Sequence, residues 1–506
     1  MGDGTIACRM GLIYRCAQHP DYFSCLFRSL SKIPACIPDH HAAPVTPARP
    51  DVLVIGGGTA ALCAAISARR AGVSVLLLEQ APRWLRGGNT RHSRNFRFCH
   101  ESPTPLATGL YPEDEFRADL WRATGGTADP ALARLLIERS AETTDWLAGA
   151  GVQFQPTASG VLPPSRKTAF LLGGGMAMLN ALYATAERIG VTIRYESGVQ
   201  DLRIEQGRLI QAQCRQGAET WALNPRAAIV CCGGSQANRD WLRAQWGEVA
   251  DGFINRGTPF AAGEVLESLL HQGARPVGDS RNLYLVAVDA RSPADDGGIV
   301  TRIRCMPAGI VVDARGQRIH DEGGDTASTR YAVWGQRLAG CPGQTAYLIL
   351  DARGMREAPP SLYPPVLSER IQDLATVLDI PPDSLTATLA RYNAAVRPPA
   401  AEEDPTGWHT EGLIPPKSRH ARPLTEPPFG AYPMRPGVTF TYHGVGVDAA
   451  TRVRLGDGGI VANLFAAGMI MAPNLIGRGY ISGLALTIGI VFGRIAGEEA
   501  ARHVRG

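Results

Sequence analysis

The feature that most limits the fold of this chain is a strand, a glycine turn, a helix and a second strand, which follow one another within about 30 residues. Residues 51–55 (DVLVI) are apolar after the first aspartate, which is typical of a parallel strand buried on both faces. Three glycines follow, and the alanine-rich run up to Arg70 predicts a helix. Residues 73–78 (VSVLLL) predict a second strand, which ends at Glu79. This order predicts a βαβ unit.

The glycine turn has the spacing of a dinucleotide-binding loop. Residues 56–61 (GGGTAA) match the pattern G-x-G-x-x-G/A in its required place, after a strand and at the start of a helix. Gly56 permits the tight turn, Gly58 lets the backbone approach a pyrophosphate, and Ala61 allows close helix–strand packing. The N–H groups at the start of the helix favour phosphate, and a carboxylate at Glu79 can accept hydrogen bonds from ribose. The residues expected to bind the dinucleotide here are Gly56, Gly57, Gly58, Thr59, Ala60, Ala61 and Glu79.

The loop alone does not separate FAD from NAD. A second glycine run, residues 173–175, has Met178 where a second fingerprint needs glycine or alanine. A separate NAD(P)H site is therefore not expected, and the single dinucleotide must carry the redox chemistry itself, which favours a flavin. We also expect Gly174 of this run to contact the cofactor.

Near both ends of the chain, predicted strands alternate with predicted helices. In the middle, a helix is followed by strand-like segments joined by proline-rich connections. Helical periodicity and short apolar runs predict helices at 132–148, 178–188 and 264–271, and strands at 191–195, 228–231, 309–313 and 347–350. Proline-rich connections fill residues 359–428, after which a strand at 463–467 and a long helix at 481–501 are expected. The predicted fold class is α/β, with a Rossmann-like FAD-binding domain formed by both ends of the chain and an inserted α+β capping domain.

The same patterns predict the domain limits. The first part of the FAD-binding domain is expected at residues 50–240, the substrate capping domain at 241–428 and the second part of the FAD-binding domain at 429–506. Residues 1–49 lack both a secretory apolar run and amphipathic periodicity, and they end in the proline-rich stretch 44–50 (PVTPARP), which is typical of a linker. We expect them to be a poorly ordered N-terminal extension.

Composition excludes several classes of protein. The 51 lysines and arginines against 47 aspartates and glutamates give a net charge of only +4, so no basic surface for nucleic acid is expected. The most apolar stretch, residues 480–493, is shorter than a membrane-spanning helix and is expected to be a buried helix. The 11 cysteines contain no C-x-x-C pair, so we expect no metal site and a reducing, cytoplasmic location.

Several further motifs resemble the flavoproteins of fumarate reductase and succinate dehydrogenase. Besides the dinucleotide loop and Glu79, the motifs that occur in the family's order are GGNT at 87–90, CCGG at 231–234, LFAAG at 464–468 and FGRIAG at 492–497. The chain is most similar to the branch that acts on tricarballylate, through RGGNTRHSRN at 86–95, DEGGD at 321–325, RYAVWG at 330–335 and IGRGY at 476–480. The resemblance covers residues 50–506.

This resemblance implies a noncovalent FAD. Attachment is expected to be noncovalent because Asn89 or Thr90 occupies the place of the histidine that binds flavin covalently in some members. Gly88, Asn89 and Thr90 would lie along the pyrophosphate and flavin. Val199 would meet the adenine through its backbone. The further residues that the resemblance places at the cofactor are Gly234 and Gly468, which would pass close to it, and Ala485 and Leu486, which would face the pyrimidine end of the ring.

The resemblance also implies substrate residues in the cap. Arg330 would be the proton acid or base, and Arg302 and Arg304 would share one face of a strand at 301–304 and bind carboxylates. Arg478 and His443 are further candidates for the reaction site. In the family's alignment, however, Tyr480 stands in the column of the substrate arginine and Phe440 in that of the substrate histidine. Three further arginines are candidates for binding either the cofactor's pyrophosphate or a substrate carboxylate: Arg91, Arg94 and Arg97.

The resulting functional hypothesis is the oxidation of tricarballylate to cis-aconitate by hydride transfer to flavin N5. The resemblance implies that a membrane-bound iron–sulfur protein then takes the electrons to quinone, which would hold this cytoplasmic chain at the inner face of the membrane. A fumarate or other enoate reductase and a succinate-type dehydrogenase are alternatives of the same family. A steroid-type dehydrogenase would instead need an apolar cleft. A non-catalytic flavin-binding protein is the alternative of another class.

Overall fold

The computed structural model describes residues 49–160, 162–295, 300–325, 330–399, 404 and 406–506. The predicted N-terminal extension, except for its last residue, lies outside this part of the chain. The α-helices are Thr59–Arg70 (α1), Glu113–Thr124 (α2), Pro130–Ser140 (α3), Thr143–Gly149 (α4), Gly174–Arg188 (α5), Arg239–Trp246 (α6), Glu264–His271 (α7), Arg330–Ala339 (α8), Ala352–Glu357 (α9), Ile371–Val377 (α10), Pro382–Ala395 (α11) and Leu484–Arg505 (α12). Short 3₁₀ turns are Arg83–Leu85, Gly88–His92, Gly247–Gly252, Met306–Ala308, Pro342–Gln344, Gly468–Ile470 and Ala472–Asn474.

In the described residues, the strands fall into two large sheets and three small ones. They are Val52–Ile55 (β1), Val75–Leu78 (β2), Asn95–Arg97 (β3), Thr168–Phe170 (β4), Thr192–Arg194 (β5), Gly198–Glu205 (β6), Arg208–Gln216 (β7), Glu219–Leu223 (β8), Ala227–Val230 (β9), Ile254–Asn255 (β10), Pro276–Asp289 (β11), Ile310–Asp313 (β12), Ala346–Leu350 (β13), Val366–Ser368 (β14), Val396–Arg397 (β15), His409–Thr410 (β16), Phe429–Val445 (β17), Arg452–Arg454 (β18) and Ile460–Ala466 (β19).

The first large sheet has the order β18-β19-β9-β1-β2-β5. Strand β1 lies between β2 and β9 and pairs with both in parallel, and β19 extends the parallel set beyond β9. All four residues of β1 are buried, as expected for a parallel strand covered on both faces. The sheet joins strands from the start and the end of the chain, which confirms the predicted Rossmann-like domain built from both ends.

The second large sheet is mostly antiparallel and centres on β17. This strand pairs with β13, β14 and the long β11, and it pairs in parallel with the short β10. Its far end, Thr439 to Val445, reaches towards the first sheet, where Thr441 contacts Ser235. The predicted boundary at residue 429 therefore falls at the first residue of a strand that belongs to the second sheet, and the domain limits remain a prediction.

Helix α12 packs along α1 through glycines on one face. An added Cβ at Gly493 would lie 2.5 Å from the Ala60 carbonyl oxygen, and one at Gly497 would collide with the Ala64 carbonyl. At Gly489 the nearest atom, the Ala60 nitrogen, would lie 3.6 Å away, which is ordinary contact. The close approach of these helices therefore depends on the two later glycines.

Three predicted elements differ from the structure. The predicted helix 132–148 is two helices, α3 and α4, separated at residues 141–142. The predicted strand 301–304 is wrong, because only Arg302 forms a bridge, to Val288, and no ladder continues it. The last helix begins at Leu484 rather than 481, since Gly483 in the left-handed region (φ 84°) caps its start. Within the described part of the chain, no helix combines the length and apolarity that a bilayer crossing requires.

Candidate active site

The dinucleotide loop opens into a long cleft at the carboxyl end of β1, next to the point where the strand order reverses. Such a switch point is where α/β sheets bind ligands. Gly56 has a φ of 108°, and an added Cβ would lie 2.6 Å from the Cys231 carbonyl oxygen, so only glycine fits. An added Cβ at Gly57 would collide with the carboxylate of Glu79 and the hydroxyl of Tyr183. At Gly58 the nearest atoms would be 3.6 Å away, which leaves that face open to the cleft.

Glu79 closes one end of the cleft. Its carboxylate accepts hydrogen bonds from the backbone N–H groups of Ala81 (2.9 Å) and Gly87 (3.2 Å). Burial raises the pKa of this carboxyl group, and the backbone hydrogen bonds oppose that effect. Ser197 and Val199 line the cleft beside it. A carboxylate held in this way can still accept hydrogen bonds from ribose hydroxyls, because each oxygen has more than one lone pair.

Asn89 marks the other end of the cleft and joins three segments of the chain. Its Nδ2 donates to the Thr439 carbonyl oxygen at 2.6 Å, and its Oδ1 accepts from the Thr258 backbone N–H at 2.9 Å. The neighbouring Thr90 hydroxyl lies 2.8 Å from the Thr59 hydroxyl at the start of α1. The GGNT motif thereby connects the dinucleotide loop to β17 and to the segment after β10.

Most residues expected at the cofactor line this cleft. They are Gly56, Gly57, Gly58, Thr59 and Ala60 of the loop, with Glu79, Gly88, Asn89, Thr90, Val199, Gly234, Gly468, Ala485 and Leu486. Ala61 is buried within α1 and is not in the described lining. Gly174 is not among the described lining residues. It starts α5 beside the Ser93 carbonyl, to which Gly175 donates a hydrogen bond. The sequence reasoning missed Gln236, which lies two residues after the CCGG motif, and also Tyr284 and Thr439, which lie far from any glycine-rich motif.

The residues present fit an extended dinucleotide. Glycines line the middle of the cleft, a carboxylate lies at one end and amide and hydroxyl groups at the other. The buried Gln236 Oε1 has no hydrogen-bond partner among the described residues, so it is available to a bound donor. No histidine is among the described residues that line the cleft.

Three aromatic rings form a wall at the Asn89 end of the cleft. Tyr284 stacks on Phe440 with ring centroids 4.8 Å apart, and Tyr480 lies 4.6 Å from Tyr284. All three line the cleft, whereas no arginine, lysine or histidine does so among the residues that the structure describes. Tyr480 and Phe440 are the residues that the resemblance was expected to place where relatives have charged substrate ligands.

Arg478 and His443 lie outside the described lining of the cleft. Arg478 is exposed, and its Nε donates to the Thr124 carbonyl oxygen at 2.9 Å, at the C-terminus of α2, where a cation is favoured. His443 stacks on Trp241, with centroids 6.1 Å apart, and its buried Nδ1 has no described hydrogen-bond partner. Burial lowers the pKa of this histidine. Neither position supports the predicted substrate role.

Arg304 and Arg330 meet instead at a second cavity of about 570 Å³, in the cap. The charged and titratable residues that line it are Arg304, Arg330, Arg353, Arg422, His420, Glu357 and Cys305. Arg330 donates from Nη2 to the Asp325 carbonyl oxygen at 3.0 Å, while its buried Nε has no described partner. Burial lowers the pKa of the Arg330 guanidinium. Arg302 is not in the described lining.

Helix α8 contacts both this cavity and the strand beside the cleft. Arg330 is its first residue, and Ala332, two positions further on, packs against the core that contains Tyr284 and Phe440. Gly335 lies against the backbone of β11, and Gln336 donates to the Leu283 carbonyl oxygen at 2.8 Å. The helix that begins with Arg330 thus lies on the strand that supplies part of the aromatic wall.

The comparisons with known proteins agree with this geometry. The family described as "FAD binding domain" matches residues 51–478. A fumarate reductase (cytochrome) from Shewanella frigidimarina is 26% identical over 475 residues, covering 90% of this chain and 77% of that protein. Among solved structures, an open flavocytochrome c3 fumarate reductase matches with a TM-score of 0.73 at 21% identity, over 91% of this chain and 80% of the other. The 3-ketosteroid-Δ4-(5α)-dehydrogenase of Rhodococcus jostii RHA1 matches with a TM-score of 0.68 at 25% identity, over 91% and 99%.

Proposed function

The chain belongs to the FAD binding domain family, among the fumarate reductase and succinate dehydrogenase flavoproteins, and from this premise we propose that it oxidises tricarballylate to cis-aconitate. Membership makes the protein an FAD-dependent oxidoreductase that acts on CH–CH groups. The choice of substrate within that class is our proposal.

The cation-lined cavity in the cap is the observation that carries the choice. Its four arginines and one glutamate leave three net positive charges when His420 is neutral, as many as the negative charges of a fully ionised tricarboxylate. Arginine binds a carboxylate with two parallel N–H groups and remains charged. Each charge-assisted hydrogen bond contributes about 1.5 to 3 kcal/mol, so several together would dominate the recognition of a polyanion.

The proposed chemistry needs a proton acceptor beside the substrate. FAD bound in the cleft would supply the oxidant, as the acceptor of a hydride from the substrate. Arg330 is the proposed acceptor of the proton from the neighbouring carbon, because burial lowers its pKa and eases deprotonation relative to an exposed arginine. Arg304 lines the same cavity and is the proposed ligand for a substrate carboxylate. Arg302, whose only described backbone pairing is with Val288, is retained as a weaker candidate.

The aromatic wall favours a second candidate function, the dehydrogenation of an apolar ring substrate. Tyr284, Phe440 and Tyr480 offer stacking faces at the Asn89 end of the cleft. Aromatic faces pack well against planar apolar molecules, and the cleft's described lining has no cation to hold a carboxylate. A solved steroid dehydrogenase is among the similar structures. This candidate predicts activity on a 3-ketosteroid and none on tricarballylate.

Anaerobic bleaching of the flavin separates these functions. We expect tricarballylate to bleach the oxidised FAD of the purified protein, succinate to act more slowly and a 3-ketosteroid to have no effect. The Arg330→Ala variant should retain its FAD and lose the bleaching. Preference for succinate would indicate a succinate-type enzyme, and fast reoxidation of reduced flavin by fumarate would indicate a reductase. A spectrum that none of these compounds changes would favour a non-catalytic flavin protein.

We also propose that the reduced protein passes its electrons to a membrane-bound iron–sulfur protein. The resemblance to the family supports this partner, and it would place the chain on the cytoplasmic face of the membrane. Membranes from the source cells should then reoxidise the reduced flavin and reduce quinone. The FAD is proposed to be noncovalent, so acid precipitation should release all of it into the supernatant.

A further inference from the structure

Arg353 and Arg422 line the cap cavity although no motif singles them out. Arg353 lies on the short helix α9, and its Nη2 donates to the Pro423 carbonyl oxygen at 2.9 Å. The guanidinium of Arg422 lies over the ring of Trp408, 4.1 Å from the centroid. Because the carbonyl and the ring hold these long side chains, little rotamer entropy remains to be lost when an anion binds.

The environment of the two arginines favours an anion. Burial lowers the pKa of Arg422, and the charge of Arg353 lowers it further, whereas Glu357 acts in the opposite direction. His420 also lines the cavity, and its pKa is lowered by burial and then by Lys417, Arg330 and Arg419. Positive charges therefore destabilise one another here, and a bound polyanion would relieve that repulsion.

The hydrogen-bonding capacity of Arg353 is not exhausted by its described contacts. A guanidinium carries five N–H donors, and Nη2 of Arg353 makes one described hydrogen bond, to Pro423. The carboxylate of Asp351 lies 4.0 Å away, at the limit of an ion pair and beyond hydrogen-bond distance. The remaining donors of Arg353 suit a carboxylate that enters the cavity.

We infer that Arg353 and Arg422 bind the third carboxylate of the substrate, the group that a tricarboxylate has and a dicarboxylate lacks. The inference rests on the proposed function and adds to it the residues that set specificity. Arg304, which lines the same cavity, binds a carboxylate that both classes of substrate share, and Arg330 keeps its role as the proton acceptor. Glu357 is the one carboxylate in the described lining, and it weakens polyanion binding.

Binding of citrate and malate to the FAD-loaded protein tests this division. The two hydroxy acids differ by one carboxymethyl group and can be titrated by calorimetry without an electron acceptor. Arg353→Gln and Arg422→Gln should each raise the dissociation constant of citrate about 10- to 100-fold and leave that of malate within about threefold. Glu357→Gln should lower the dissociation constant of citrate.

Arg356→Gln is the matched control. This residue lies on the same short helix, but it is exposed, pairs with Glu426 at 2.9 Å and is not in the described cavity lining. It should change neither dissociation constant. FAD content and melting temperature verify the fold of each variant, and Glu357→Gln keeps the test valid if an arginine variant unfolds, since it predicts a gain of affinity.

The outcomes separate this inference from the proposed function. Equal weakening of citrate and malate by the arginine variants, or no weakening of either, would overturn the inference even if the wild-type protein oxidises tricarballylate. Loss of citrate binding alone would support it even if the wild-type flavin is not bleached by tricarballylate, in which case only the proposed reaction fails. Weaker citrate binding by Glu357→Gln would contradict the charge argument.

Discussion

Replacing Gly493 by alanine should separate helices α1 and α12. The added Cβ would lie 2.5 Å from the Ala60 carbonyl oxygen, about 1 Å closer than the optimum for non-bonded heavy atoms. A backbone carbonyl cannot rotate away as a side chain can, so the cost should be near the upper end of the roughly 1 to 3 kcal/mol typical of overpacking. The helix itself gains about 0.5 to 1 kcal/mol from alanine. The net loss should be about 2 kcal/mol.

Gly489→Ala in the same helix is the matched control. Its Cβ would lie 3.6 Å from the Ala60 nitrogen, so only the gain in helix propensity should remain, up to about 1 kcal/mol. Circular dichroism of the flavin-free proteins should show melting about 2 to 4 °C lower for Gly493→Ala, because the entropy of unfolding scales with chain length, and no lower for Gly489→Ala. The flavin-free form is used because Gly489 also lines the cleft. Equal effects of the two substitutions, or a stable Gly493→Ala protein, would refute this account of the packing.

Three further predictions concern single side chains. Asn89→Asp should lower both the affinity for FAD and the melting temperature. A carboxylate oxygen would then face the Thr439 carbonyl, which in the wild type accepts a hydrogen bond at 2.6 Å. Asn89→Ser can still donate a hydrogen bond, so its affinity for FAD and its melting temperature should fall less. Arg478→Ala should keep its turnover in a dye-coupled assay. It should lose roughly 0.5 to 1 kcal/mol of stability, because the side chain caps α2 at Thr124. A loss of turnover would instead support the predicted substrate role of Arg478. Burial lowers the pKa of Lys417 to about 8 from the ordinary 10.5. At a pH between these two values, the unfolded chain therefore binds more protons than the folded protein. The melting temperature of the wild type should therefore rise relative to Lys417→Met from pH 8 to 10.5, and a fall would contradict this assignment.

The cofactor half of the protein could be predicted because its signals are local. Residues 51–79 carry a complete structural unit, so apolar periodicity and glycine spacing were sufficient to predict the strands and the loop. The class of cofactor and the reaction type needed the resemblance of several motifs, and the comparisons confirm both. The two errors in element bounds, at 141–142 and at Gly483, reflect helix ends that no proline marks.

The substrate half could not be predicted in the same way, because it is assembled from distant segments. The aromatic wall combines Tyr284, Phe440 and Tyr480, which are separated by up to about 200 residues and carry no common motif. Arg478 stands between two glycines that would let a substrate approach, yet a long side chain can turn to either side of its backbone. The direction of the Arg478 side chain is set by its hydrogen bond to the C-terminus of α2, which the sequence around Arg478 does not show.

The placement of α12 and β19 at the far end of the chain has a consequence for biogenesis. Helix α1 obtains its partner only after roughly 400 further residues have been made, which takes about 20 to 80 s at ordinary elongation rates of about 5 to 20 residues per second. Until then the alanine-rich face of α1 is uncovered on the ribosome, where chaperones can engage it. Flavin capture is therefore expected to be a late, post-translational event, and cells starved of riboflavin should accumulate full-length apoprotein rather than stalled nascent chains.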